Sequence, residues 1–236
     1  NSGELERMGV KYVLIESVQR FGMQRFGVED LDFSNSDISI FKKQIESNLN
    51  QKGLKKREEH NISDDIGVIN NLNLNALAYN LRFKIKGYGK INSEIYREKI
   101  DKNLFSTKIS DEILFFHEDL EHLKFETTKN IEMLNKNFNT LANLLVKKNI
   151  KLIFMPAVDK YNLYSPYITS NNYAKSMFFE YLDTLPKDYI FINSKKILSE
   201  QLEKGEKDIF YVDDTHWSYK ASNILINHES FKNIFN

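Results

Sequence analysis

The chain has 236 residues, of which 41% are apolar and 28% charged, and its 33 basic side chains are balanced by 33 acidic ones. That composition suits a folded chain with one sizeable core, and zero net charge excludes the general basic field of a nucleic-acid binder. The absence of cysteine removes disulfides, thiol nucleophiles and thiolate metal sites.

Val10 to Ile15 is a short apolar, β-biased run and predicts a buried strand. Glu16 to Phe26 then reads as helix or turn, with Glu16 and Arg20 four apart on one helix face, or lining a site at the strand's carboxyl end. Helical spacing predicts helices over 37–50 and 63–81. The basic run Lys52 to Arg57 is followed at once by Glu58 and Glu59, which reads as a solvated helix end or loop. Residues 30–120 form an expected insertion or lid within a single domain of residues 1–236. Gly87 and Gly89 break it, and Ile95 to Phe105 with Glu112 to Phe116 form a β-hairpin. His117 and His122 follow among Glu118, Asp119 and Glu121. A metal site there is weighed against an ordinary solvated surface.

Thr127 to Lys148 carries Ile131, Leu134, Phe138, Leu141 and Leu145 at helical period. Lys151 to Met155 is a strand, so the pair forms a crossover unit of a parallel sheet. Pro156 to Tyr167 reads as a polar, aromatic loop. Its Asp159, Lys160, Tyr161, Tyr164 and Tyr167 would either face a carbohydrate or pack on neighbours. A helix over 170–185, a strand over 188–193 and a helix over 194–204 closed by Gly205 complete the approach to the last motif.

That motif is Asp208-Ile-Phe-Tyr-Val-Asp-Asp-Thr-His-Trp-Ser-Tyr-Lys220. It reads as a strand over Ile209 to Val212, a polar turn, and a helix from Ser218 towards Phe235. Asp214 and His216 are two residues apart. Asp214 could accept the Nδ1 proton of His216 and leave Nε2 as a general base, or it could simply cap the helix. A metal site built on Asp213, Asp214 and His216 ranks last, because donors from one turn rarely converge on one ion. No cofactor is expected, and no glycine-rich phosphate loop is present.

Asp214-Thr-His-Trp217 resembles the Asp-x-His-Trp signature of SGNH-hydrolase-like proteins, in the group that includes the bacterial alginate O-acetyltransferases. Leu152-Ile-Phe-Met-Pro156 followed by Asp159-Lys160 is similar to a second element of that group. Lys11-Tyr-Val-Leu-Ile-Glu-Ser-Val-Gln-Arg20 is similar to a third. The resemblance implies an α/β three-layer fold, SGNH- or flavodoxin-like, with a parallel sheet and an inserted helical and β-hairpin subdomain.

It also implies an O-acetyltransferase or acetylesterase acting on a cell-envelope or extracellular polysaccharide, in a periplasmic, membrane-anchored or extracellular setting. Its partners would be the polysaccharide, an acyl-donor substrate and a membrane-bound acyl-transfer protein. His216 would be the base and Asp214 its orienting partner; Lys160, Asp159, Trp217 and Tyr164 would support the site or the substrate. No Gly-Asp-Ser is found, so the serine and its strand are expected upstream of residue 1, with Ser17 a weak substitute. The alternatives are a pseudoenzyme, or a non-catalytic glycan-binding or assembly module with the same fold.

Overall fold

A computed structural model describes residues 2–31, 33, 95–108 and 110–235, with isolated positions between 78 and 90. The expected helix over 37–50, nearly all of that over 63–81, the basic run and most of the expected insertion lie outside the described residues; positions 78 and 81 are helical. Among the described residues no helix is long and apolar enough to cross a membrane.

The chain opens with α1 (Ser2–Arg7), then β1 (Tyr12–Val18) and α2 (Gln19–Phe26). The first strand runs three residues further than expected, carrying Glu16 and Ser17 inside it. The reason is pairing: β1 lies parallel to β5 (Lys151–Ala157) in unbroken register from Tyr12↔Lys151 to Val18↔Ala157. β5 in turn pairs in parallel with β6 (Ile190–Phe191). The result is a mixed α/β fold with a parallel sheet of order β1-β5-β6. Leu152 to Ala157 are buried without a break, as in strands covered on both faces.

The described part of the region 30–120 supplies a small antiparallel sheet, β2 (Gly89–Lys90), β3 (Ile95–Lys99) and β4 (Glu112–Phe116), in that order. The hairpin was expected with strands to Phe105; β3 stops at Lys99. Beyond it Ile100, Leu104 and Phe105 are buried instead of paired. They belong to the same buried cluster as Ile153 and Phe154 of the parallel sheet and Tyr161 beyond it. A single bridge, Ile100↔Ile168, and the Asp101 N–H to Tyr167 carbonyl bond at 2.9 Å fasten the hairpin to the chain beyond β5.

A short helix, α3 (Glu118–Glu121), leads to α4 (Thr128–Val146), whose first turn is capped by the Thr127 hydroxyl accepting from the Asn130 N–H at 3.2 Å. Ile131, Leu134, Phe138 and Leu145 are buried as the spacing predicts, while Leu141 is half-buried.

The segment expected as a loop after β5 is helical: α5 (Lys160–Tyr164) and a 3-10 turn over Ser165–Tyr167. The helix α5 is buried, not presented to solvent, because its side chains join the core, while the 3-10 turn lies nearer the surface. The helix expected from residue 170 is α6 (Phe178–Thr184). Asn171 holds the preceding stretch as a loop instead: its side chain donates to the Ser165 carbonyl and accepts from Tyr173 N–H at 3.0 Å each. After β6 come α7 (Ser194–Glu203), which ends before Gly205 at φ 89°, α8 (Tyr219–Asn227) and α9 (Glu229–Lys232).

Candidate functional site

The expected strand over Ile209 to Val212 does not form. Phe210 and Trp217 make one antiparallel bridge, closed by Ser218 N–H to Ile209 carbonyl at 2.9 Å and Tyr211 N–H to His216 carbonyl at 3.3 Å. Asp214 and His216 therefore sit on a tight loop projecting from this bridge. A ladder would use the Tyr211 and Val212 carbonyls; here both accept from the Lys160 ammonium instead, at 2.7 and 2.9 Å.

Within the loop, Asp214 Oδ1 stands 2.6 Å from His216 Nδ1 and accepts the His216 backbone N–H at 3.1 Å. The carboxylate thus fixes both the backbone turn and the ring. The hydrogen bond with His216 pulls the Asp214 carboxyl below its usual range. Both side chains face solvent, His216 at 80% and Asp214 at 50% exposure. Among the described residues no hydroxyl bonds to Nε2 of His216, which stays open for a proton in flight. Ser17 is buried at 7% exposure, with its hydroxyl pointed at the Val18 carbonyl at 3.4 Å.

The loop rests on the carboxyl end of β5. Trp217 donates its indole N–H to the Val158 carbonyl at 3.3 Å. Tyr164 is fully buried, and its hydroxyl accepts from the Phe210 N–H at 3.3 Å. Lys160 is 1% exposed and donates to three carbonyls, those of Tyr211, Val212 and Asp214, the last at 3.0 Å. Tyr164, Lys160 and Trp217, expected to meet substrate or support the site, are here the supports under the Asp-His loop. Asp159 is buried behind them.

Asp159 follows from an unmet need at α2. That helix begins after Val18, whose side chain cannot cap it. Asp159 caps it from across the sheet: its Oδ2 accepts the Arg20 N–H at 2.9 Å and its Oδ1 the Arg20 guanidinium at 2.6 Å. Because that carboxylate is engaged, α5 lacks a cap from its own N-cap residue. Asp119 supplies one, accepting the Tyr161 N–H at 3.2 Å and the same Arg20 Nη1 at 3.1 Å. Arg20, Lys160, Asp119 and Asp159 form a buried group of two cations and two carboxylates. Burial raises the Asp119 carboxyl to about 6 and pushes Asp159 well above its ordinary value; it lowers Lys160 to about 7. Asp119 is the member that sequence reasoning missed. Its local sequence marks only an acidic turn, and nothing in that turn points to Tyr161 or Arg20.

A second buried polar set flanks this group. Gln19 donates to Glu126 at 2.7 Å and Ser176 at 2.9 Å, and accepts from Asn162 at 2.9 Å and from the Asp159 N–H at 3.2 Å. Burial raises the Glu126 carboxyl. The histidines weighed as metal ligands are otherwise engaged: His122 Nδ1 meets the Arg20 carbonyl at 2.5 Å, and His117 Nε2 is 3.7 Å from Glu121. Among the described residues no three His, Asp or Glu side chains cluster closely enough to hold a metal ion, the Asp213, Asp214 and His216 turn included. Glu16 is exposed near the carboxyl end of β1, while Arg20 is turned into the buried group.

No protein-family model, curated protein or solved structure matches the chain.

Proposed function

We propose that the Asp214–His216 loop is the base half of a serine esterase or acyltransferase site, of the SGNH-like kind that the sequence resembles. The protein would be an O-acetyltransferase or acetylesterase of a cell-envelope or extracellular polysaccharide. The observation that carries the reading is the 2.6 Å contact of Asp214 Oδ1 with His216 Nδ1, which leaves Nε2 in solvent above the carboxyl end of a parallel sheet. The substrate class rests on the sequence resemblance.

In this mechanism a serine hydroxyl brought to His216 attacks the acetyl carbonyl carbon. Its proton passes to His216 Nε2, and Asp214 stabilises the imidazolium that results. The ester C–O bond then breaks, and the departing oxygen takes the proton back from Nε2. The acetyl-serine is attacked by a sugar hydroxyl for transfer, or by water for hydrolysis; His216 takes up that proton and returns it to the serine oxygen as the acetyl–serine C–O bond breaks. Trp217 anchors the loop beside its base.

The test is release of acetate from an acetyl ester by the full-length gene product and its His216→Ala form. The reading predicts a loss of at least ~100-fold, the lower range for general base catalysis. Equal rates in the two proteins would sink it. A second reading is a non-catalytic glycan-binding or assembly module. It is favoured by the open Nε2, which no described hydroxyl meets. Glycan binding by a full-length protein without esterase activity would support it.

A further inference from the structure

We infer that Lys160 is the positioning residue of the Asp214–His216 loop: its ammonium fills a cage of three carbonyls and fixes the loop without meeting substrate. This deepens the proposed function, since the loop is the same, but its test reads the loop and needs no activity.

The geometry is specific. An ammonium carries three donors, and three loop carbonyls accept from this one, Tyr211, Val212 and Asp214, at 2.7, 2.9 and 3.0 Å. All three donors are therefore spent on one turn of four residues. Nothing is left over for a ligand, and the side chain is 1% exposed. The Phe105 ring lies 5.5 Å from the ammonium and closes another side of the cage.

Burial opposes the charged form and lowers Lys160 to about 7, while Asp119 of α3 and Asp213 and Asp214 of the loop offset part of that cost. Asp119 is itself bound to Arg20 and to the first turn of α5, so Lys160 stands on a fixed base. The Asp214–His216 contacts lie within the loop and Trp217 anchors its far end, while Asp213, Asp214 and His216 are exposed, so Lys160 is what ties the turn 211–214 to the core. Without the ammonium, three carbonyls facing inward would lose their donors, and the loop would open towards water to satisfy them. The distance between Asp214 and His216 would then no longer be set.

The chain is suited to a direct test. It has no cysteine, so Lys160→Cys introduces the sole thiol, and Trp217 on the loop is its sole tryptophan. Alkylating the unfolded variant with bromoethylamine and refolding gives a lysine analogue. Alkylation with iodopropane gives an uncharged side chain of the same length. Hydrogen exchange of amides 211–217 is read in both, with the β5 amides as the control for folding.

The aminoethyl form should match the wild type. In the propyl form the loop amides should exchange about tenfold faster or more, roughly what one charged hydrogen bond is worth. Trp217 emission should shift to the red, while β5 keeps its protection. Wild-type exchange and emission in a folded propyl form would overturn the inference. If the propyl form does not fold, the wild type decides by nitrogen-15 NMR of its lysine side chains. A slowly exchanging Lys160 ammonium coupled through hydrogen bonds to three backbone carbonyls is expected. A rapidly exchanging one without those couplings would overturn it.

Discussion

A lysine that exposes 1% of its surface needs a partner for every donor, and the partners of Lys160 are all on the loop that carries His216. The other buried charges have similar duties. Asp159 and Asp119 each complete a helix start that its own sequence leaves uncapped, and Arg20 joins them. Such a group responds to pH in a defined way. Asp119, raised to about 6, holds its proton in the folded state at pH values where the unfolded chain has released it. Its contribution to stability is therefore fully present below pH ~4 and is lost as pH rises to about 6. Lys160, lowered to about 7, works the other way on its own account. Between pH 7 and its unfolded value the unfolded chain binds more protons, so stability rises with pH across that window. Urea midpoints measured from pH 4 to 6 should fall in the wild type relative to Asp119→Asn; a constant difference between the two would contradict the assignment. By contrast, Asp214→Asn removes an exposed carboxylate and should leave the unfolding free energy within ~0.5 kcal/mol of wild type at pH 7, while disturbing the ring. The His216 Nδ1 proton signal in the NMR spectrum should move upfield or vanish in that variant, and an unchanged signal would contradict the pairing. Asp214 and His216 were legible in the sequence because a short polar string encodes a local contact. Lys160 was expected to support the site or the substrate, but its carbonyl partners and the capping role of Asp119 were not legible, because both depend on distant segments: 211–214 for Lys160, Arg20 and Tyr161 for Asp119.

At the scale of elements, α4 is the segment whose sequence pattern speaks most directly. Its apolar stripe reappears as buried Ile131, Leu134, Phe138 and Leu145. Phe138 lies 4.0 Å, centroid to centroid, from Phe154 on β5, so it ties the helix to the sheet. Phe138→Ala should cost about 3–5 kcal/mol in chemical denaturation, whereas Thr127→Ala should cost ~1 kcal/mol through the lost cap. Similar losses from both would contradict that division of labour. The same helix carries two buried asparagines that no hydrophobic pattern foretells. Asn137 donates to the Phe26 and Glu29 carbonyls and so finishes α2, and Asn135 donates to the Pro186 carbonyl. Elements were misread where carbonyls found partners outside a ladder. Ile209 to Val212 has the apolar, β-branched look of a strand, yet Lys160 takes two of its carbonyls. The segment 159–164 looked like a polar loop because Asp159 and Lys160 are charged. Arg20 pairs with Asp159 and three loop carbonyls accept from Lys160, which lets the segment be buried.

At the scale of the whole molecule, the helix-to-strand order of α4 and β5 announced a parallel sheet, and the sheet is parallel throughout. The site follows from that topology. The carboxyl ends of β1 and β5 deliver Arg20 on one side and Asp159 and Lys160 on the other, and the 211–217 loop settles over them. What the sequence placed between residues 34 and 77 lies outside the described residues. If His216 activates a serine in the intact gene product, as proposed, that serine should react with a fluorophosphonate. The full-length protein and its His216→Ala form would be treated with the reagent, and the modified peptide identified by mass spectrometry. One labelled serine is expected in the wild type, with labelling slowed at least ~100-fold in the variant. Labelling at the same rate in both proteins, or no labelled serine in the wild type, would contradict the proposal.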